Sequence, residues 1–123
     1  MNRIRVALAL LACVLMTLGV PAGAQSPVDQ SAWASLKKEV RLPNGLRLAY
    51  VEAGDPNGEP LLLLHGYTDS SRSWSLTAPY LSNYRLLIPD QRGHGGSDAP
   101  QCCYSSSQFA DDARLFLDAL GVR

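Results

Sequence analysis

The spacing of apolar positions changes repeatedly along the chain, and each change marks an element. Val6 to Val20 is an unbroken apolar run without a charge, preceded by Arg3 and Arg5 and ended by Pro21. With Ala22-Gly23-Ala24 behind it, Met1–Ala24 reads as a secretory signal peptide. The run holds 15 residues, fewer than the ~20 that cross a bilayer; an uncleaved anchor is the competing reading. Residues 25–38 are polar with Pro27 and read as a flexible lead-in, its end anchored by Trp33 and Leu36. Glu39 to Leu42 and Leu46 to Glu52 read as strands joined at Pro43-Asn44-Gly45, with Leu46, Leu48 and Tyr50 on one face. Ala53 to Pro60 is loop by composition.

Leu61 to Leu64 is continuously apolar, as expected of a strand buried on both faces. Ser71 to Leu81 reads as a helix presenting Trp74, Ala78 and Leu81, kinked or ended early by Pro79. Leu86 to Ile88 is a second buried strand, closed by Pro89-Asp90. Gln91 to Pro100 is a glycine-rich loop. Phe109, Ala113, Phe116, Leu117 and Leu120 recur at helical spacing. Ser105 with Gln108 forms a capping box before them, and Gly121 stops the helix. Strand, helix, strand, helix predicts an α/β fold with a parallel sheet, entered through an antiparallel hairpin. The organisation is therefore leader 1–24, lead-in 25–38 and a partial α/β domain over 39–123.

Composition narrows the function classes. Eleven basic and eleven acidic residues balance, 46% of residues are hydrophobic and 18% charged, as in a globular protein. Without the leader, nine basic and eleven acidic side chains remain. That balance gives no electrostatic basis for nucleic-acid binding. Two histidines, His65 and His94, and no C-x-x-C pair give no zinc-ligand pattern. Cys102 and Cys103 are adjacent, so a bridge between them would close a strained ring. The expectation is two free thiols, or one paired elsewhere.

Ligands of an open parallel sheet bind beyond the carboxyl ends of its strands. Two loops occupy that rim. One is Leu64-His65-Gly66-Tyr67-Thr68-Asp69, with Trp74 beyond it; the other is Asp90-Gln91-Arg92-Gly93-His94-Gly95-Gly96-Ser97-Asp98. A glycine straight after a buried strand allows a sharp turn that leaves the Tyr67 N–H free to donate.

These two motifs together resemble the α/β-hydrolase superfamily, over about Glu39 to Arg123 and less than half of that fold. The resemblance implies that the Tyr67 N–H is half of an oxyanion hole. It also implies a nucleophile on a strand-to-helix elbow, followed by an acid and a base, all encoded beyond Arg123. No Gly-x-Ser-x-Gly occurs in the sequence. The expected function is that of the front part of an exported serine-type hydrolase acting on esters, lactones or similar acyl bonds. The chain alone would be inactive; the full-length protein would act on a small-molecule substrate, without metal or organic cofactor. Thr68 stands where many members carry proline, which points away from the dehalogenase-like and epoxide-hydrolase-like branches.

His65, Gly66, Asp90, Arg92, Gly93, His94 and Gly95 are expected to shape the loops, with Arg92 paired to Asp90 or Asp98. Trp74 is expected to anchor the core. Leu61–Leu64 is expected to form a sheet edge open to self-association. The alternative function is a non-catalytic binding module that offers this edge to a partner. No stable membrane association is expected after leader removal.

Overall fold

A computed structural model describes residues 30–122. The leader over 1–24 lies outside the described residues. In chain order the elements are helix α1 (Gln30–Ser35), strands β1 (Lys37–Arg41), β2 (Arg47–Gly54) and β3 (Pro60–Leu62), 3₁₀ turns at Ser71–Trp74 and Ala78–Leu81, strand β4 (Arg85–Pro89) and helix α2 (Ser106–Ala119). The four strands form one sheet in the order β1-β2-β4-β3. β1 and β2 pair antiparallel, as do β2 and β4, while β3 and β4 run parallel.

The alternation of side chains along each strand builds two cores, one on each side of the sheet. Val51, Leu63, Leu86 and Ile88 face one way, packing with Trp33 of α1 and Ala78 of the second 3₁₀ turn. Leu48, Tyr50 and Leu87 face the other way, packing with Leu42 and Phe116 of α2. The Tyr50 and Phe116 rings meet edge to face at 5.2 Å, a favoured aromatic geometry. α2 follows its sequence signals closely. Ser105 and Gln108 complete the reciprocal capping box, and Gly121 stops the helix at φ +70°. Among the described residues no helix is long and apolar enough to cross a membrane.

Four expectations are corrected. The segment expected as a flexible lead-in contains helix α1 at Gln30–Ser35; Trp33 anchors it as expected, 3% exposed, with its indole Nε1 donating to Ser71 Oγ at 3.3 Å. Leu36, the other expected anchor, stays exposed. The ladder of β3 ends at Leu62, and Leu61 and Leu62 are only half-buried because β3 is the sheet edge. Leu63 is buried, its N–H donating to Leu87 O at 3.0 Å, while Leu64 is exposed.

The expected helix over 71–81 is two 3₁₀ turns. Pro79 lacks the N–H that a continuous helix needs and sits instead near the start of the second turn. Finally, Cys102 and Cys103 are joined to one another in a disulfide. The backbone accommodates the small ring with Cys103 in the left-handed region, at φ +79°.

Candidate active-site cleft

The carboxyl ends of β3 and β4 lie side by side because the two strands are parallel neighbours. The loops that leave them therefore face each other. Leu64, His65, Gly66 and Tyr67 from one loop, Gln91 and His94 from the other, and Ser106, Phe109 and Ala110 from α2 line a cleft of about 400 Å³. Four rings stand at its wall: His94 packs 5.0 Å from His65 and 6.5 Å from both Tyr67 and Phe109.

His65 is buried and holds the two loops together. Its Nε2 accepts the Gln91 backbone N–H at 2.9 Å, and its Nδ1 lies 2.8 Å from Gly66 O. An acceptor at Nε2 and a donor at Nδ1 define the neutral Nδ1–H tautomer. The Gln91 side-chain amide returns a bond to His65 O. Both ring nitrogens are thus engaged in the loop frame. His94 is similarly braced, with Nδ1 2.9 Å from Arg92 O.

Tyr67 itself is 91% exposed. Its backbone N–H makes no hydrogen bond with the described residues. The left-handed residue of this turn is Thr68, at φ +63°, rather than Gly66, at which an added Cβ would meet open space. A β-branched residue rarely adopts that conformation, and such strain gathers in ligand-contacting turns. Directly after it, Asp69 Oδ1 accepts the Ser70 N–H at 2.8 Å, and Ser70 caps the first 3₁₀ turn.

Asp90 is the hub beneath both loops. It is fully buried. Oδ1 accepts the Ser71 N–H and Oδ2 the Gly96 N–H, each at 2.8 Å, and the Lys37 ammonium of β1 pairs with Oδ2. Burial pushes the carboxyl up, but the Gly96 N–H, Lys37 and Ser71 outweigh it and hold the group below its usual range. Gly95, at φ +52°, is demanded by this contact, since a Cβ there would lie 2.1 Å from Asp90 Oδ2. Gly93 adopts φ +76° beneath the Tyr104 ring.

Arg92 does not pair with Asp90 or Asp98. It forms a two-pronged pair with the buried Asp112 of α2, at 2.6 Å from Nε and 2.7 Å from Nη2, and its Nη1 donates to Cys103 O. The bond to Asp112 raises its already high pKa, against the opposing effect of burial. Asp90 is taken by Lys37. Asp98 is taken by Arg47, whose N–H donates to Oδ2 at 2.9 Å and whose Nη2 lies 3.0 Å from Oδ1. The Arg47 N–H is the main reason that the Asp98 carboxyl lies below its usual value.

Lys37, Ser71 and Asp112 support the site and were not singled out from the sequence. Asp112 carried a signal, because it lies three residues after Phe109 on the apolar stripe of α2, where a carboxylate needs a partner. Trp74 packs against the first core, with its Nε1 buried and unpartnered among the described residues. Among the described residues no group of three or more His, Cys, Asp or Glu side chains is placed to hold a metal ion.

Comparison with known proteins agrees with this geometry. Residues 59–123 match the family described as the alpha/beta hydrolase fold. The chain is 39% identical over 83 residues to epoxide hydrolase A of Mycobacterium tuberculosis, covering 64% of this chain and 26% of that protein. It is 40% identical over 86 residues to lipase 1 of Psychrobacter immobilis, covering 69% and 27%. Among solved structures, a putative lipase from Acinetobacter baumannii superposes with a TM-score of 0.68 at 32% identity, over 76% of this chain and 32% of that one.

An epoxide hydrolase from hot-environment metagenomes gives 0.66 at 38% identity, over 69% and 30%. The chain thus spans about a quarter to a third of these relatives. The 39% identity to an epoxide hydrolase stands beside 40% to a lipase, so in overall similarity the chain is no further from epoxide hydrolases, against the expectation drawn from Thr68. A mixed sheet with helices on both faces, the two rim motifs around one cleft, and the match over more than half of the sequence lead to one assignment: the chain belongs to the α/β-hydrolase fold family.

Proposed function

We propose that this chain forms the oxyanion-binding side of a serine-type acyl hydrolase acting on ester, lactone or similar bonds. The observation that carries this reading is the Tyr67 N–H, which the described residues leave without an acceptor in a residue lining the cleft. A fixed N–H of this kind stabilises the charge that develops on a carbonyl oxygen under attack. The rigid frame of His65, Gln91 and Asp90 supports preorganisation, because the donor need not reorient during the reaction. The cleft's mainly apolar wall of Leu64, Phe109 and Ala110 suits an acyl chain. In this reading the nucleophile, acid and base come from sequence beyond Arg123, and the basic-apolar start of the chain directs export. The substrate is a small molecule, and no cofactor takes part.

The test is to express the chain with the coding sequence that follows Arg123. That sequence should encode an apolar strand and then Gly-x-Ser-x-Gly within about 30 codons. The product should hydrolyse p-nitrophenyl esters and be labelled on serine by a fluorophosphonate. Tyr67→Pro, which deletes the N–H, should lower kcat by about 10²–10³-fold. Tyr67→Ala should have a much smaller effect, because it keeps the N–H and removes a side chain that is 91% exposed. Unchanged kcat in Tyr67→Pro overturns the assigned role. Hydrolysis of styrene oxide without ester hydrolysis overturns the acyl reading; it indicates an aspartate nucleophile, in keeping with the similarity to epoxide hydrolase A.

A further inference from the structure

We propose that the Cys102–Cys103 pair is a thiol-modification site whose redox state is transmitted to the cleft through Arg92. Both residues are exposed, so a reductant can reach the bridge from solvent. The bridged pair includes a non-glycine residue held at φ +79°, a conformation that L side chains rarely keep without constraint. Cys103 also presents its carbonyl to Arg92 Nη1.

Two contacts connect this loop to the cleft. Arg92 is fixed on its other side by Asp112, and Arg92 O in turn meets His94 Nδ1. Tyr104, next in sequence, lies over Gly93 and 6.3 Å from Phe109. His94 and Phe109 both line the cleft.

The reaction is thiol–disulfide exchange with a small dithiol or a thiol–disulfide oxidoreductase. A thiolate of the reductant attacks one sulfur and the Cys102–Cys103 bond breaks. The second thiol of the reductant then resolves the mixed disulfide. Two electrons and two protons pass to the chain, leaving two thiols and an oxidised reductant. With the ring open, Cys103 leaves the left-handed region. Its carbonyl turns from Arg92, and the 92–98 loop loosens against the cleft. This coupling does not depend on the hydrolase reading, because it is read from mass and amide exchange rather than turnover.

The experiment uses the full chain purified without reductant. Treatment with N-ethylmaleimide and peptide mapping should leave Cys102 and Cys103 unlabelled before dithiothreitol and doubly labelled after it. Backbone amides of Gly93, His94 and Ser97, which are hydrogen-bonded within the loop, should exchange about tenfold faster once the bridge is reduced. A Cys102→Ser, Cys103→Ser double variant should exchange like the reduced chain, with or without dithiothreitol. Arg92→Lys should keep the bridge but lose the response of the loop. Full labelling of both cysteines before reduction, even after incubation with oxidised glutathione, overturns the site. Identical exchange in the oxidised and reduced chains overturns the coupling.

Discussion

Arg92 and Asp112 are joined by two parallel hydrogen bonds of 2.6 and 2.7 Å, tying the rim loop after β4 to the middle of α2. Asp112 Oδ1 also accepts from Asn44 Nδ2 at 3.0 Å, so the same carboxylate holds the hairpin turn between β1 and β2. Three segments distant in sequence thus converge on one buried ion pair. Removing one partner strands the other charge away from water, which costs far more than the intact pair contributes. Arg92→Ala should therefore lower stability by about 3–5 kcal/mol. Arg92→Ala combined with Asp112→Ala should cost less than the sum of the two single changes. Urea unfolding of the three variants measures this, and simple additivity would refute the coupling.

Asp90 gives a pH dependence with a defined sign. Its carboxyl lies below its usual range in the folded chain, so folding favours the ionised form. The resulting stabilisation is fully present above the ordinary carboxylate value of about 4 and is lost as pH falls through the folded value. Glu52, held down by Lys38 and Arg85, acts in the same direction. Asp90→Asn should cost about 3 kcal/mol at neutral pH, because one oxygen that faces Lys37 and the Gly96 N–H becomes a donor. The loss of stability on acidification should also become shallower in this variant. Unfolding free energies from pH 7 to 3 decide this; parallel curves for the two proteins would rule it out.

Gly95 and Gly45 separate two reasons for glycine. Both adopt positive φ, but an added Cβ meets Asp90 Oδ2 at 2.1 Å at Gly95 and open space at Gly45. Gly45→Ala should cost the backbone strain alone, about 1–2 kcal/mol. Gly95→Ala should cost that strain plus about 1–3 kcal/mol of overpacking against the hub. Thermal melts of the two variants give the comparison, and equal losses would show that Asp90 moves aside freely.

The sequence disclosed those parts of the fold that local chemistry dictates. The hairpin at Asn44-Gly45, the capping box at Ser105 and Gln108, and the apolar β4 all depend on neighbours in sequence. The two rim motifs revealed the family because their spacing reflects two strand ends brought side by side. What stayed hidden depends on distant partners. Lys37 looks like any strand lysine until Asp90, far along the chain, lies beneath it. Trp33 sits in a polar segment, and nothing nearby announces Ser71 as its acceptor. Asp112 was legible only as an anomaly on an apolar stripe. Its partner Arg92 has the carboxylates of Asp90 and Asp98 near it in sequence, and only the fold brings Asp112 to it.

Trp33 tests whether α1 belongs to the folded unit. Its ring is 3% exposed and packs with Val51, Leu86 and Ile88. Trp33→Ala should cost about 3–5 kcal/mol. A flexible lead-in would give a loss near zero, so urea unfolding distinguishes the two directly.

The edge strand β3 gives the last prediction. It pairs with β4 on one side only. Leu63 N–H points toward β4, donating to Leu87 O, and the alternation of a parallel ladder turns the Leu62 N–H away from it. An outward row of this kind templates pairing with a second chain. Proline is tolerated on an edge strand where the N–H faces outward. Leu62→Pro should therefore weaken concentration-dependent association of the chain in sedimentation velocity, at a cost of about 2 kcal/mol from lost leucine packing. A control, Leu76→Ala, changes an exposed residue away from the edge and should leave association unaltered. If Leu62→Pro associates as strongly as the parent chain, self-pairing does not run through β3. If the parent chain is a monodisperse monomer at all concentrations, the open edge is not an assembly surface.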